Sequence, residues 1–304
     1  AEASRSSAPL TAGRVGAATV RVEGVLQIED AKPGALKTDI KVADGYFFRR
    51  DLSVRGGLDA SLTAFPPYAS ASGHFKGRMG ESVALTRRNL SLGETAVPFE
   101  GDVRVAGLPS NPAWAVALRV PEFGVFSALP SAQVTATAGA AASLRYDAEN
   151  LAVAGEAWLR DVAMLAGPES NRLGEAGVKR ITARFKVPEF KRVAVSNAVA
   201  EVRICASNGW AKAGSLAVLE EAEAEVPLTW SVAAGLSFLP GQHLGWRRME
   251  AQGLKIVPDG FVLARRDNVV ESCIGARVSE SRLGAAVTVR VPLDSPRQVE
   301  FGVS

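Results

Sequence analysis

Val120-Pro121-Glu122-Phe123 recurs further along the chain as Val187-Pro188-Glu189-Phe190. A repeated glutamate invites one chemistry first. Two carboxylates facing a common cleft can act as general acid and general base, as in glycoside hydrolysis. The surrounding residues do not extend that reading. Each copy follows an alternating segment, "WAVALRV" or "ITARFKV". Proline there removes a ladder donor, and the charged residue marks emergence into solvent. The echo therefore reads as strand punctuation, a relic of a duplicated β unit.

Other reactive side chains are sparse. His74 in "SGHFKG" and His243 in "PGQHLGW" are the two histidines, both flanked by glycine and read as solvent-facing. The sequence holds no Gly-x-Ser-x-Gly elbow, no Gly-rich phosphate loop and no His/Cys/Asp grouping with metal-ligand spacing. The chain reads as non-enzymatic, with no cofactor and no metal. Cys205 and Cys273 are the two cysteines. They could form one disulfide in an oxidising compartment, or remain two small apolar residues in a reducing one.

Four arginine pairs stand out: Arg49-Arg50, Arg87-Arg88, Arg247-Arg248 and Arg265-Arg266. Guanidinium forks suit phosphate oxygens, and "YFFRR" and "WRRM" place aromatic rings beside them, as at membrane interfaces. Arg49, Arg50, Arg247 and Arg248 are the candidates for a lipid headgroup. The plainer reading puts all four pairs at strand ends or exposed turns. Of the five tryptophans, Trp114, Trp158 and Trp230 fall in alternating strands and read as core. Trp210 and Trp246 lie beside Gly-containing loops, where an indole could stack on a sugar.

The elements that would carry these residues are written in period two. Ala18, Val20, Val22, Leu26 and Ile28 alternate with Thr19, Arg21, Glu23, Gln27 and Glu29, with Gly24 where a strand would bend or bulge. "WAVALRV", "ITARFKV" and "AAVTVRV" repeat the pattern. "AKPG", "FPPY", "LPSNP", "AGPESN", "LPGQ" and "VPDG" read as the intervening turns. "GSLAVLEEAEAEV" has helical composition, yet its glutamates alternate with Ala and Val, which favours a strand.

The 304 residues, 47% hydrophobic and 22% charged, suffice for a substantial fold. A net charge of +3 from 35 basic and 32 acidic side chains excludes the concentrated basic face that nucleic acid requires. Two uncharged stretches, 123–144 and 226–246, are broken by Pro and Gly and read as buried strands, not membrane helices. The expected fold is mostly β with few helices: an elongated, twisted antiparallel sheet forming an apolar groove or a β-sandwich. Residues 1–13 read as a flexible segment, 14–165 as a first β unit, and 178–304 as a second that continues it.

The phrase "GDVRVAGLPSNPAW", through Gly101, Val103, Val105, Gly107, Leu108, Pro112 and Trp114, resembles the strand modules of AsmA-like bacterial envelope proteins, the group that includes TamB and the YdbH-type proteins. The likeness extends over residues 14–165 and more loosely over 178–304. The resemblance implies an apolar β-groove that carries lipid between membranes in the periplasm, with no catalytic residues. Such bridges are much longer and membrane-anchored, so this chain reads as a fragment or as a module beside an anchored partner.

The leading expectation is a periplasmic lipid-binding or lipid-transfer component in outer-membrane biogenesis, free or membrane-associated. Its partners would be a phospholipid or other envelope lipid, and envelope membrane proteins. Val116, Leu118, Val120, Leu144, Val153, Ile181, Phe185 and Val187 are the candidates for the groove lining. The alternative is a structural or adhesive β-sandwich making protein contacts in the envelope. A glycan-acting β-protein is a third reading.

Overall fold

The computed structural model describes residues 14–30, 32–49, 52–80, 90–91, 97–108, 110–129, 132–147, 150–166, 174–191, 198–214, 217–231, 234–292 and 300–304. Among them there is no helix. The strands are β1 (Arg14–Glu29), β2 (Lys32–Arg49), β3 (Leu52–Ala64), β4 (Ser70–Met79), β5 (Leu90–Ser91), β6 (Val97–Ala106), β7 (Ala113–Leu129), β8 (Ala132–Tyr146), β9 (Asn150–Ala166) and β10 (Glu175–Lys191). They continue with β11 (Val199–Ala213), β12 (Ala217–Ser231), β13 (Gly235–Phe238), β14 (His243–Gly245), β15 (Arg248–Ala251), β16 (Leu254–Arg266), β17 (Val269–Val278), β18 (Gly284–Pro292) and β19 (Glu300–Val303). The nineteen strands belong to antiparallel sheet. The mostly β expectation is met.

The described residues fall into two compact units. The first lies within Ala1–Ala128, Ala138–Gly155 and Glu189–Val193; the second lies within Leu129–Thr137, Glu156–Pro188 and Ala194–Ser304.

In the first unit, β1, β2, β3, β4, β6 and β7 form an antiparallel ladder in that order. Its registers carry the sequence alternation from strand to strand. Val22, Ile40, Ala60, Phe75, Gly101 and Leu118 form one cross-strand row. Leu26, Leu36, Ala64, Ala71, Val105 and Trp114 form a second. Arg21, Lys41, Asp59, Lys76, Glu100 and Arg119 form a row of the other parity, whose charge alternates from Lys41 onward. One face is thus apolar and the other ionic, as a period of two demands.

In the second unit, β10, β11 and β12 pair in order, and β12 then takes β13, β14 and β15 along successive parts of its length. β15 leads to β16, followed by β17, β18 and β19. "GSLAVLEEAEAEV" contributes to β12, a strand, because each of its alternating Ala and Val residues has a neighbour to pack on. Gln242 joins β14's approach to β16: its amide N–H donates to the Leu263 carbonyl at 2.8 Å, and its Oε1 accepts from the Leu263 N–H.

Several local readings are corrected. β7 and β10 do not end at their prolines. The ladder to β6 stops at Arg119 and the ladder to β11 at Lys186, so Pro121 and Pro188 lie just beyond the paired positions on those edges. Beyond Pro121, β7 pairs with β5 through Phe126 and Ser127. Gly24 is regularly paired with Thr38; the irregularities of β1 fall instead around Ala18 and Gln27. "VPDG" is no turn but a bulge within β16, between Pro258 and Phe261. "FPPY" and "LPSNP" do form turns, and the Tyr68 hydroxyl donates to the Gly34 carbonyl at 2.7 Å. Residues 1–13 and most of "AGPESN" lie outside the described residues.

Candidate functional site

The apolar faces are incompletely covered. Among the described residues, only Ala35, Ala64, Val97, Val105, Ala138, Val226 and Leu228 are buried hydrophobics, and no large side chain is fully buried. A closed sandwich of this size would enclose many Leu, Ile and Phe side chains. Here the apolar rows remain half open. Val22, Leu26 and Trp114 of the first unit are 44, 47 and 41% exposed, and Trp230 of the second is 49% exposed. Trp114 and Trp230 lie in strands as expected, but not in a core.

All eight groove candidates are half-buried. Val116, Leu118 and Val120 lie on β7, with exposed Ala117 and Arg119 between them. Val116 pairs with Val103 and Leu118 with Gly101. Leu144 on β8 and Val153 on β9 belong to the same unit. Ile181, Phe185 and Val187 lie on β10 in the second unit. Ile181 continues into Ala206, Ala224 and Leu244; Phe185 continues into Val202, Leu228 and Phe238.

Sequence reasoning missed Phe75, Phe99 and Leu62, which sit on the same face as Val116 and Leu118. Phe75 lies over Gly101 and Phe99 over Gly77, with ring centroids 6.4 Å apart and planes at 53°. Glycine opposite an aromatic gives the ring a smooth backbone to cover. The alternation of Gly73, Phe75 and Gly77 is the sequence signal that marks the arrangement.

The headgroup candidates divide. Arg49 ends β2, paired with Arg14 and Leu52. Arg50, like Arg87 and Arg88, lies outside the described residues. Arg247 and Arg248 face carboxylates. Arg247 is 3.0 Å from Glu221, and Arg248 is 3.0 Å from Glu250 and 3.6 Å from Glu220. The hydrogen bonds to Glu250, then its charge, raise the Arg248 pKa; the same contact lowers that of Glu250. A phosphate approaching these arginines would compete with carboxylates already in place. Arg265 donates to the backbone carbonyls of Leu236 and Asp267.

The remaining candidates for chemistry are scattered. His74 Nδ1 is 3.3 Å from Asp102 Oδ1 on the ionic face, and His243 is 3.5 Å from Glu223. Glu122 and Glu189 lie on β7 and β10, in strands rather than in loops. Cys205 and Cys273 are free thiols on β11 and β17, with no disulfide between them. Among the described residues, no group of three or more His, Cys, Asp or Glu could hold a metal ion, and no helix is long and apolar enough to cross a membrane. Trp246 is held by its indole N–H, which donates to the Ile256 carbonyl at 2.9 Å.

No family model matches the chain, and no curated protein or solved structure matches it either.

Proposed function

We propose that this chain is a non-enzymatic lipid-binding or lipid-transfer component of the bacterial envelope, holding acyl chains on the apolar faces of its β units. One observation carries the reading. Rows of Val, Leu, Ile and Phe run from strand to strand, yet stay half open. Apolar surface left in this state costs free energy in water, at roughly 25 cal/mol per Å². An acyl chain recovers it, at about 0.8 kcal/mol per methylene buried. A row such as Ile40, Ala60, Phe75, Gly101 and Leu118 alternates large residues with small ones, leaving shallow troughs that a flexible chain can fill.

The ligand would be a phospholipid or another envelope lipid, and the compartment the periplasm, with envelope membrane proteins as partners. The opposite face, with its alternating Arg, Lys, Asp and Glu, would remain in water. Arg247 and Arg248 would act as headgroup contacts only by exchanging carboxylate partners, so the apolar rows supply most of the affinity.

Photo-crosslinking tests the proposal. A diazirine placed at Leu118 or Phe185 should yield an acyl-chain adduct when the chain is made in a Gram-negative periplasm. A diazirine at exposed Arg119 should not. Equal labelling at all three positions, or none at any, contradicts it.

A further inference from the structure

A cleft of about 770 Å³ in the second unit lies across β9, β10, β11 and β12. Trp210 is among its lining residues, and its indole lies against Gly177 of β10. A Cβ at Gly177 would sit 2.7 Å from Trp210 Nε1, so only glycine leaves the ring its place.

The neighbouring strands are irregular here. Between the pairs Ala206–Ala224 and Gly209–Ala222, Ser207 and Asn208 face Glu223 alone. Between Gly209–Ala222 and Ala211–Leu219, Glu220 and Glu221 face Trp210 alone. Two consecutive bulges therefore flank the indole. Asp161, Asn208 and Glu221 have φ of 50°, 53° and 50°, left-handed values that Asp and Asn tolerate and that glutamate seldom adopts. All three line the cleft. Bulges re-aim side chains, and strained backbone gathers at sites of function.

The lining chemistry is specific in kind. Lys179 and Arg247 donate; Asp161, Glu220 and Glu221 accept; Asn208 does both. Arg247 is 3.0 Å from Glu221 and keeps further N–H groups for a ligand. Three acidic groups against two basic ones give no attraction for a phosphate. An aromatic face ringed by mixed donors and acceptors suits a ligand with an apolar ring face and hydroxyls at its rim.

We propose that this cleft binds a neutral oligosaccharide, with Trp210 as the platform for one sugar ring and Asp161, Asn208 and Lys179 as hydroxyl partners. The Gly177–Trp210 pair lies four residues along β10 from the Ile181–Ala206 pair, and binding of a neutral sugar is read without reference to lipid, so the two proposals fail separately.

Calorimetric titration of the whole chain with maltohexaose, cellohexaose and chitohexaose tests it. At least one should bind saturably, with Kd at or below about 1 mM. Trp210→Ala should weaken that binding about tenfold, the scale of one aromatic contact, and Trp230→Ala should leave it unchanged. Asn208→Ala and Lys179→Met provide a second readout if Trp210→Ala unfolds, and each should weaken binding severalfold. Absence of saturable binding to all three sugars overturns the proposal. So does binding that survives changes at Trp210, Asn208 and Lys179.

Discussion

Phe75 on β4 and Phe99 on β6 each cover the glycine directly opposite in the ladder: Phe75 lies over Gly101, and Phe99 over Gly77. The rings meet at 6.4 Å. The arrangement makes the absence of a side chain a packing requirement. Gly101→Ala would drive a Cβ into the Phe75 ring and the Ala117 carbonyl. It should destabilise by about 1–3 kcal/mol, as overpacking does. Gly124→Ala, where nothing lies within 4 Å, should be neutral or stabilise by about 0.4–1 kcal/mol. Urea midpoints of the two variants check both outcomes.

Glu250 should titrate below its ordinary value of 4.5, because Arg248 hydrogen-bonds its carboxylate and adds a favourable charge. A folded-state pKa below the unfolded one gives a contribution present above the unfolded value. It is lost as pH falls through the folded one. The contact should therefore persist at mildly acidic pH and disappear in stronger acid. Carboxyl-carbon NMR titration reads this directly, and Arg248→Gln should return Glu250 toward its ordinary range.

Glu156 takes two arginines, Arg184 at 2.9 Å and Arg180 at 3.2 Å. Arg184 also faces Arg203 across the β10–β11 ladder, an unfavourable like-charge pairing. Arg203 is answered by Glu225 at 2.8 Å. Glu156→Gln should lower the melting temperature slightly at low salt and less as salt rises, since the arginines are largely exposed. Thermal melts at two ionic strengths measure the difference.

Much of this fold is written in the sequence, because period-two alternation survives in almost every strand. Val116, Leu118 and Val120 show it plainly, and so does β12, where alternation outweighed helical composition. Irregularity was less legible. Pro121 and Pro188 look like strand ends, but β7 and β10 continue through them, just past the last rungs to β6 and β11. Asn208 before Gly209 carries a local signal for left-handed backbone, whereas Glu221 carries none and its conformation follows from tertiary register. Trp210 was recognisable beside its glycine, but its setting between Glu220, Asp161 and Lys179 comes from four strands.

Cys205 and Cys273 lie on separate strands as free thiols. The denatured, non-reduced chain should react with two equivalents of a thiol reagent. Cys205→Ala with Cys273→Ala should shift stability by no more than about 1 kcal/mol per site, the effect of trimming a half-buried small residue.

Lipid occupancy of the apolar rows is tested most directly by native mass spectrometry of the chain purified from a Gram-negative periplasm. The account predicts a bound species with the mass of a phospholipid or other envelope lipid. The species should be lost in Leu62→Asp with Leu118→Asp, while circular dichroism keeps its β signature. A folded wild-type chain that carries no lipid, and takes none up from phospholipid vesicles, would contradict it.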